Sequence, residues 1–131
     1  YSLTHVLHGL VLWGVLWLAA GHVPTVWRAV AVLGLEALWE VVENSAWVID
    51  RYRAATAAVG YTGDSVVNSL GDIAACGVGL VIAHRLGWWR SLVVFLAMEL
   101  ILMVWIRDSL LLNVVMLLLP IDAIRQWQLG H

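Results

Sequence analysis

Eight ionisable side chains stand inside long apolar stretches of this chain: His5 and His8, Glu36, Glu40 and Glu43, Asp72, and Glu99 and Arg107. A charge in the middle of hydrocarbon costs about 2.5–3.5 kcal/mol on insertion scales, so such groups mark a site. Imidazole combined with carboxylate is a hard-to-borderline ligand set that suits a divalent metal: Zn, Mn or Fe. A metal held this way lowers the pKa of a water and makes a nucleophile, which could hydrolyse a lipid ester, amide or phosphate. The expected ligands are His5, His8, Glu43 and Asp72, with Glu40 as general base and Ser65 and Asn68 beside them. A metal-free version would use Ser65 as nucleophile with His8 and Asp72, although no nucleophile elbow surrounds that serine.

The spacing supports one shared location. His5 and His8 are i, i+3; Glu36, Glu40 and Glu43 are i, i+4, i+7. Ser65, Asn68, Ser69 and Asp72 repeat the same helical rhythm. Each set falls on one face of a helix, so each helix carries one polar stripe that can turn into a bundle interior.

The elements that must carry these stripes are apolar. Of 131 residues 63% are hydrophobic and 12% charged, against about 25% charged in a soluble domain. Mean hydropathy is +0.89. The expected architecture is an all-α membrane protein: a single polytopic domain of four transmembrane helices plus a short fifth apolar helix, spanning or re-entrant. The four long segments run from about Leu3 to Gly21, Val26 to Ile49, Asp64-Ser65 to Leu86, and Ser91 to Ile106. Asp64-Ser65 reads as a helix cap. The fifth run, Ser109 to Leu119, stops at Pro120; even extended to Ile124 it gives only about 24 Å of helix. Trp27, Trp47, Trp88, Trp89 and Trp105 fall near segment ends, the aromatic-belt position. Gly71, Ala75 and Gly79 form a small-residue ridge, which makes segment three the expected central helix.

Antiparallel threading puts the start of segment one, the end of two, the start of three and the end of four on one side. His8, Glu43, Asn68 and Glu99 then all lie roughly 6–12 Å inside the boundary, with Glu36 deeper. The opposite side carries Arg28, Arg85 and Arg90, and the positive-inside rule places it in the cytoplasm. The site would face the periplasm. Asp50, Arg51, Arg53 and Asp64 are expected to pair locally at the interface, and Arg107 to pair with Asp108 or Glu99. Cys76 is expected to be a packed thiol. All seven basic residues are Arg, without a basic run, so nothing points to nucleic acid. The chain opens on Tyr1 rather than Met, and the native N-terminus is expected to lie upstream.

Several stretches carry a resemblance. They are Thr4-His5-Val6-Leu7-His8-Gly9, Trp39-Glu40-Val41-Val42-Glu43-Asn44-Ser45, Asp50-Arg51-Tyr52-Arg53, Gly63-Asp64-Ser65-Val66-Val67-Asn68-Ser69 with Asp72, and Ile106-Arg107-Asp108 with Asn113. Together the chain resembles the domain-of-unknown-function family 2585, small integral membrane proteins of mainly alphaproteobacteria. The resemblance implies an inner-membrane location and supplies no reaction. Members of that family usually carry a further hydrophobic segment upstream.

Two functional readings stand side by side. One is a metal-dependent intramembrane hydrolase acting on a lipid or lipid-linked substrate. The other is a non-catalytic subunit of a larger membrane complex, in which the polar network fixes helix packing and apolar faces meet other membrane protein subunits. Proton or ion transport along Glu36, Glu40 and Glu43 is weaker, because no polar path continues to the far helix ends.

Overall fold

Seven helices account for nearly all the ordered backbone of the computed structural model, which describes residues 2–56 and 58–130. They are α1 (Ser2–Ala19), α2 (Thr25–Glu43), α3 (Ala46–Ala55), α4 (Val66–Leu86), α5 (Trp88–Ile106), α6 (Leu110–Leu118) and α7 (Asp122–Leu129). No strand occurs among the described residues. Serines start three of the helices: the hydroxyls of Ser45, Ser65 and Ser109 accept from the backbone N–H of Val48, Asn68 and Leu112. A single residue, Gly87, ends α4 and begins α5; its φ of +81° is open to glycine and strained for other residues.

The expected second segment is not one helix. It breaks at Asn44-Ser45, and its tail becomes α3. Two polar side chains make the break. Asn44 turns its amide back onto the Glu40 carbonyl at 2.8 Å and offers its Oδ1 to the Asp64 N–H, while Ser45 caps the new helix. The fifth segment also divides. Pro120 separates α6 from α7, and nine residues of α6 make only about 14 Å of helix, too short to cross a bilayer.

Length and apolarity single out α4 and α5 as helices able to cross a membrane. The apolar stretch of α1, Leu3–Ala19, is shorter, and α2 carries Arg28, Glu36, Glu40 and Glu43. The four-span expectation is therefore matched by composition in two helices.

Packing centres on α1 as much as on α4. Helix α1 touches α2, α4, α5 and α6, and its longest contact is with α4. The two backbones meet where Gly9 faces Gly79. A Cβ on Gly9 would overlap the Cys76 carbonyl oxygen, and one on Gly79 would overlap the Val6 carbonyl. Gly71, at the other end of the expected ridge, faces open space. Around this crossing Leu7, Leu10, Trp13, Val32, Cys76 and Leu102 form the buried core, with Cys76 a free thiol.

The outside is as apolar as the inside. On α5, Leu100, Val104 and Trp105 are 62%, 74% and 74% exposed. Contiguous apolar surface on this scale requires lipid or another protein around it.

Candidate metal centre and polar cavity

The site is built where α1 starts, α2 ends, α4 starts and α5 ends, the four termini expected to meet. His5 and His8 lie one turn apart on α1, with ring centroids 4.8 Å apart in an edge-to-face arrangement. Both turn toward α2. Glu36, 1% exposed, accepts from Nδ1 of His5 through Oε1 and from Nδ1 of His8 through Oε2, the latter at 2.8 Å. One carboxylate thus orients two imidazoles. With Nδ1 carrying the proton in each, Nε2 is the nitrogen left with a lone pair.

His5 is the hub. Its Nε2 faces Asp72 Oδ2 of α4 at 3.4 Å, and its Nδ1 lies 3.5 Å from Glu40 Oε1. Glu40, 4% exposed, has only the Ser69 hydroxyl near it outside the cluster, and Glu43 meets the Tyr52 phenol while its Oε2 stays without a hydrogen bond among the described residues. Three overlapping groups offer donor atoms within 4.8 Å of one another: His5, His8 and Glu36; His5, Glu40 and Glu43; and Glu40, Asp64 and Asp72. Buried, unpartnered carboxylate is costly without a cation, and two imidazoles are too few to balance five carboxyl groups. The donor set fits a divalent metal with N and O ligands.

A cavity of about 560 Å³ opens beside this cluster. His5, His8, Glu43, Asn68 and Asp72 line it, and α3, the loop after it and the α5–α6 junction close it with Tyr52, Tyr61, Asp64, Arg107, Asp108 and Asn113. Tyr52 and Tyr61 pack edge-to-face at 5.4 Å. Burial first, and then the charge of Glu43, push both phenols above their ordinary range, so they remain hydrogen-bond donors at neutral pH. Burial likewise raises the Asp108 carboxyl, against the pull of the Ser109 N–H and the Asn113 amide. Apolar wall is supplied by Trp39, Val67, Ile106, Val114 and Leu117.

The sequence-derived residues separate under this geometry. His5, His8, Glu40, Glu43 and Asp72 gather in one cluster. Asn68 lines the cavity but is largely exposed. Ser65 does not line it; its hydroxyl caps α4, accepting from the Asn68 N–H at 3.1 Å. Glu99 stands elsewhere: its two oxygens accept from the N–H groups of Leu110 and Leu111 at 2.9 and 3.3 Å, sealing the start of α6. Arg107 pairs with neither Glu99 nor Asp108. It ends α5 in the left-handed region, φ +56°, and donates to the Trp127 carbonyl at 3.0 Å. Asp50 and Arg53 do pair locally, at 2.6 Å. Glu36, Asp64, Tyr52 and Tyr61 join the site without having been assigned a role in it. The signal for Glu36 was its place on the Glu40–Glu43 stripe, and for Tyr52 and Asp64 their place in the stretches that carry the resemblance; Tyr61 carries none.

Fold and site together define a helical protein with an apolar exterior and a His/Glu/Asp cluster at one end of its bundle. The chain belongs to the family described as protein of unknown function DUF2585, whose model matches residues 1–130. It is 46% identical to a UPF0314 protein of Paracoccus denitrificans over 128 residues, covering 98% of this chain and 66% of that protein. It is 44% identical over 131 residues to a UPF0314 protein of Sphingopyxis alaskensis, covering 99% of this chain and 69% of the relative. A UPF0314 protein of Brucella anthropi is 43% identical over 130 residues, covering 99% of this chain and 66% of its own length. The chain thus spans about two thirds of the length of these relatives. No solved structure matches it.

Proposed function

We propose that this chain is a polytopic bacterial inner-membrane protein whose His/Glu/Asp cluster holds a divalent metal and hydrolyses a lipid or lipid-linked substrate near the periplasmic leaflet. The observation that carries the reading is the convergence of donor atoms from two histidines and five carboxyl groups in three overlapping groups, each within 4.8 Å. The ligands would be His5, His8, Asp72 and Glu43, with His5 common to the groups that reach His8 and Glu43 and 3.4 Å from Asp72. Glu36 would act one layer out, holding both imidazoles through Nδ1, the usual carboxylate–histidine–metal arrangement.

A divalent metal at this cluster supplies Lewis-acid polarisation of the scissile carbonyl or phosphoryl oxygen. Glu40 would take the proton from the attacking water and return it to the leaving oxygen or nitrogen as its bond to the carbonyl carbon or phosphorus breaks. Tyr61 offers a neutral phenol donor to developing charge, the Tyr52 phenol being engaged with Glu43, and Arg107, one of whose donors is used on Trp127, can hold a phosphate. The mixed lining of the cavity, polar toward the cluster and apolar at Trp39, Val114 and Leu117, suits a substrate with a polar headgroup and an apolar tail.

Membrane placement is supported by the apolar length of α4 and α5 and by the exposed apolar surface. Arg28, Arg85 and Arg90 stand at the end of the bundle away from the cluster and Arg51, Arg53, Arg107 and Arg125 at the cluster end, so the periplasmic orientation is part of the proposal and rests on no arginine excess. The test is elemental analysis of the purified full chain. A stoichiometric metal that is lost in Asp72→Asn and kept in Glu40→Gln supports the proposal. A metal-free chain recovered in a stoichiometric complex from mild detergent overturns it in favour of a non-catalytic subunit.

A further inference from the structure

The other end of the bundle holds a second cavity, of about 390 Å³, that the metal site does not use. Its walls come from α1, the end of α4 and the start of α5, and they are aromatic and aliphatic: Trp13, Trp17, Trp88, Leu92 and Phe95. One cation lines it, Arg28 of α2. The guanidinium lies over the Trp13 ring, 4.9 Å from its centroid, and His84 meets the same ring edge-on at 5.4 Å. A guanidinium has five donors. Here Nη2 makes one long bond, 3.3 Å, to the Thr25 hydroxyl, while Nε and Nη1 are buried without any acceptor. No carboxylate pairs with Arg28 among the described residues.

An arginine fixed by an indole and left without an acceptor is prepared for an oxyanion, because the planar fork matches phosphate and carboxylate geometry. The surrounding walls decide which carrier brings it. They are apolar and half open, with Trp17 and Trp88 50% and 45% exposed, and they run on into the apolar outer faces of α1 and α5. A free anion would find one cation and little else. An anionic lipid would place its phosphodiester on Arg28 and its acyl chain along Trp17, Trp88 and Phe95.

We infer that the Trp13–Arg28 cavity binds an anionic phospholipid, at the end of the bundle opposite the metal cluster. The inference rests on the membrane placement and is independent of the metal reading. The observation needed is lipid retention by the purified full chain, read by native mass spectrometry after exchange into mixed phosphatidylglycerol and phosphatidylcholine. Phosphatidylglycerol should be retained in preference, and Arg28→Gln should lower that retention by about tenfold or more, the usual cost of losing a charge-assisted pair. Arg28→Lys should recover part of it, and Arg85→Gln, which leaves the cavity lining intact, should leave it unchanged. Helical circular dichroism identifies any Arg28 variant that fails to fold, and Trp17→Ala, at a half-exposed wall, then serves in its place with the same expected direction. Equal retention of the zwitterionic lipid, or retention indifferent to both variants, overturns the inference. So does displacement by millimolar inorganic phosphate alone, which would make the site one for a free anion.

Discussion

Glu36 of α2 receives the Nδ1 protons of both His5 and His8 of α1, so a single buried carboxylate sets the tautomer and the direction of two imidazoles. Glu36→Gln is isosteric and tests this relationship. The amide keeps one oxygen and replaces the other with a donor, which cannot accept from the second histidine. Metal affinity is expected to fall by about 10–100-fold, as for other second-layer carboxylates. Competition with a chromophoric chelator measures it. Unchanged affinity would mean that the histidines are oriented by something other than Glu36.

The contact of Gly9 with Gly79 makes a second expectation, about stability. Gly79→Val puts a branched side chain into the Val6 carbonyl, and neither backbone can move without separating α1 from α4. Overpacking of a closed interface costs about 1–3 kcal/mol, and backbone is less able to yield than side chain, so a loss at or above the upper figure is expected. Gly71→Ala, which meets nothing within 4 Å, serves as the matched substitution and should be near neutral or slightly stabilising through helix propensity. Thermal unfolding in detergent distinguishes the two; similar melting temperatures would argue against a tight α1–α4 crossing.

Much of this was legible in the residues, for physical reasons. A helix repeats its faces every three to four residues, so the stripes His5–His8 and Glu36–Glu40–Glu43 announced which sides turn inward. Antiparallel threading then brought four helix ends together around one cavity, and five of the seven candidate residues lie in one cluster. What failed to show was the behaviour of groups that bond to backbone. Asn44 and Ser45 break a hydrophobic run that hydropathy reads as continuous. Glu99 looks like a buried charge needing a cation, yet its partners are two N–H groups of α6. Backbone donors are invisible in a sequence, because every residue but proline carries one. The same blindness hid the role of Arg107, whose partner is the Trp127 carbonyl.

Glu99 therefore bears on the α5–α6 junction rather than on the His/Glu/Asp cluster. Its carboxylate takes two of the free N–H groups at the start of α6, beside the Ser109 hydroxyl that takes a third. Glu99→Ala leaves both donors without that acceptor in a part-buried place, a loss of about 1 kcal/mol. Glu99→Gln keeps one acceptor and should lose less. Hydrogen exchange at Leu110 and Leu111 is the direct readout: both amides should exchange faster in the Ala variant while the α1 amides hold. Metal content should stay the same in either variant, and a loss of metal would return Glu99 to the site.

Ser65 separates the two ways of reading the polar start of α4. As a nucleophile it would be irreplaceable. As a cap, its hydroxyl matters only as an acceptor for the Asn68 N–H. Ser65→Ala is then expected to cost about 1 kcal/mol of stability and Ser65→Asp to restore it, since aspartate caps as well as serine. Aspartate also sits favourably at the positive end of the helix, although Asp64 beside it reduces that gain. Metal content should be the same in the parent chain and both variants. A fluorophosphonate probe, which reacts with activated serines, should leave Ser65 unlabelled. Labelling at Ser65, or failure of the aspartate to restore stability, would show that the hydroxyl does more than cap α4.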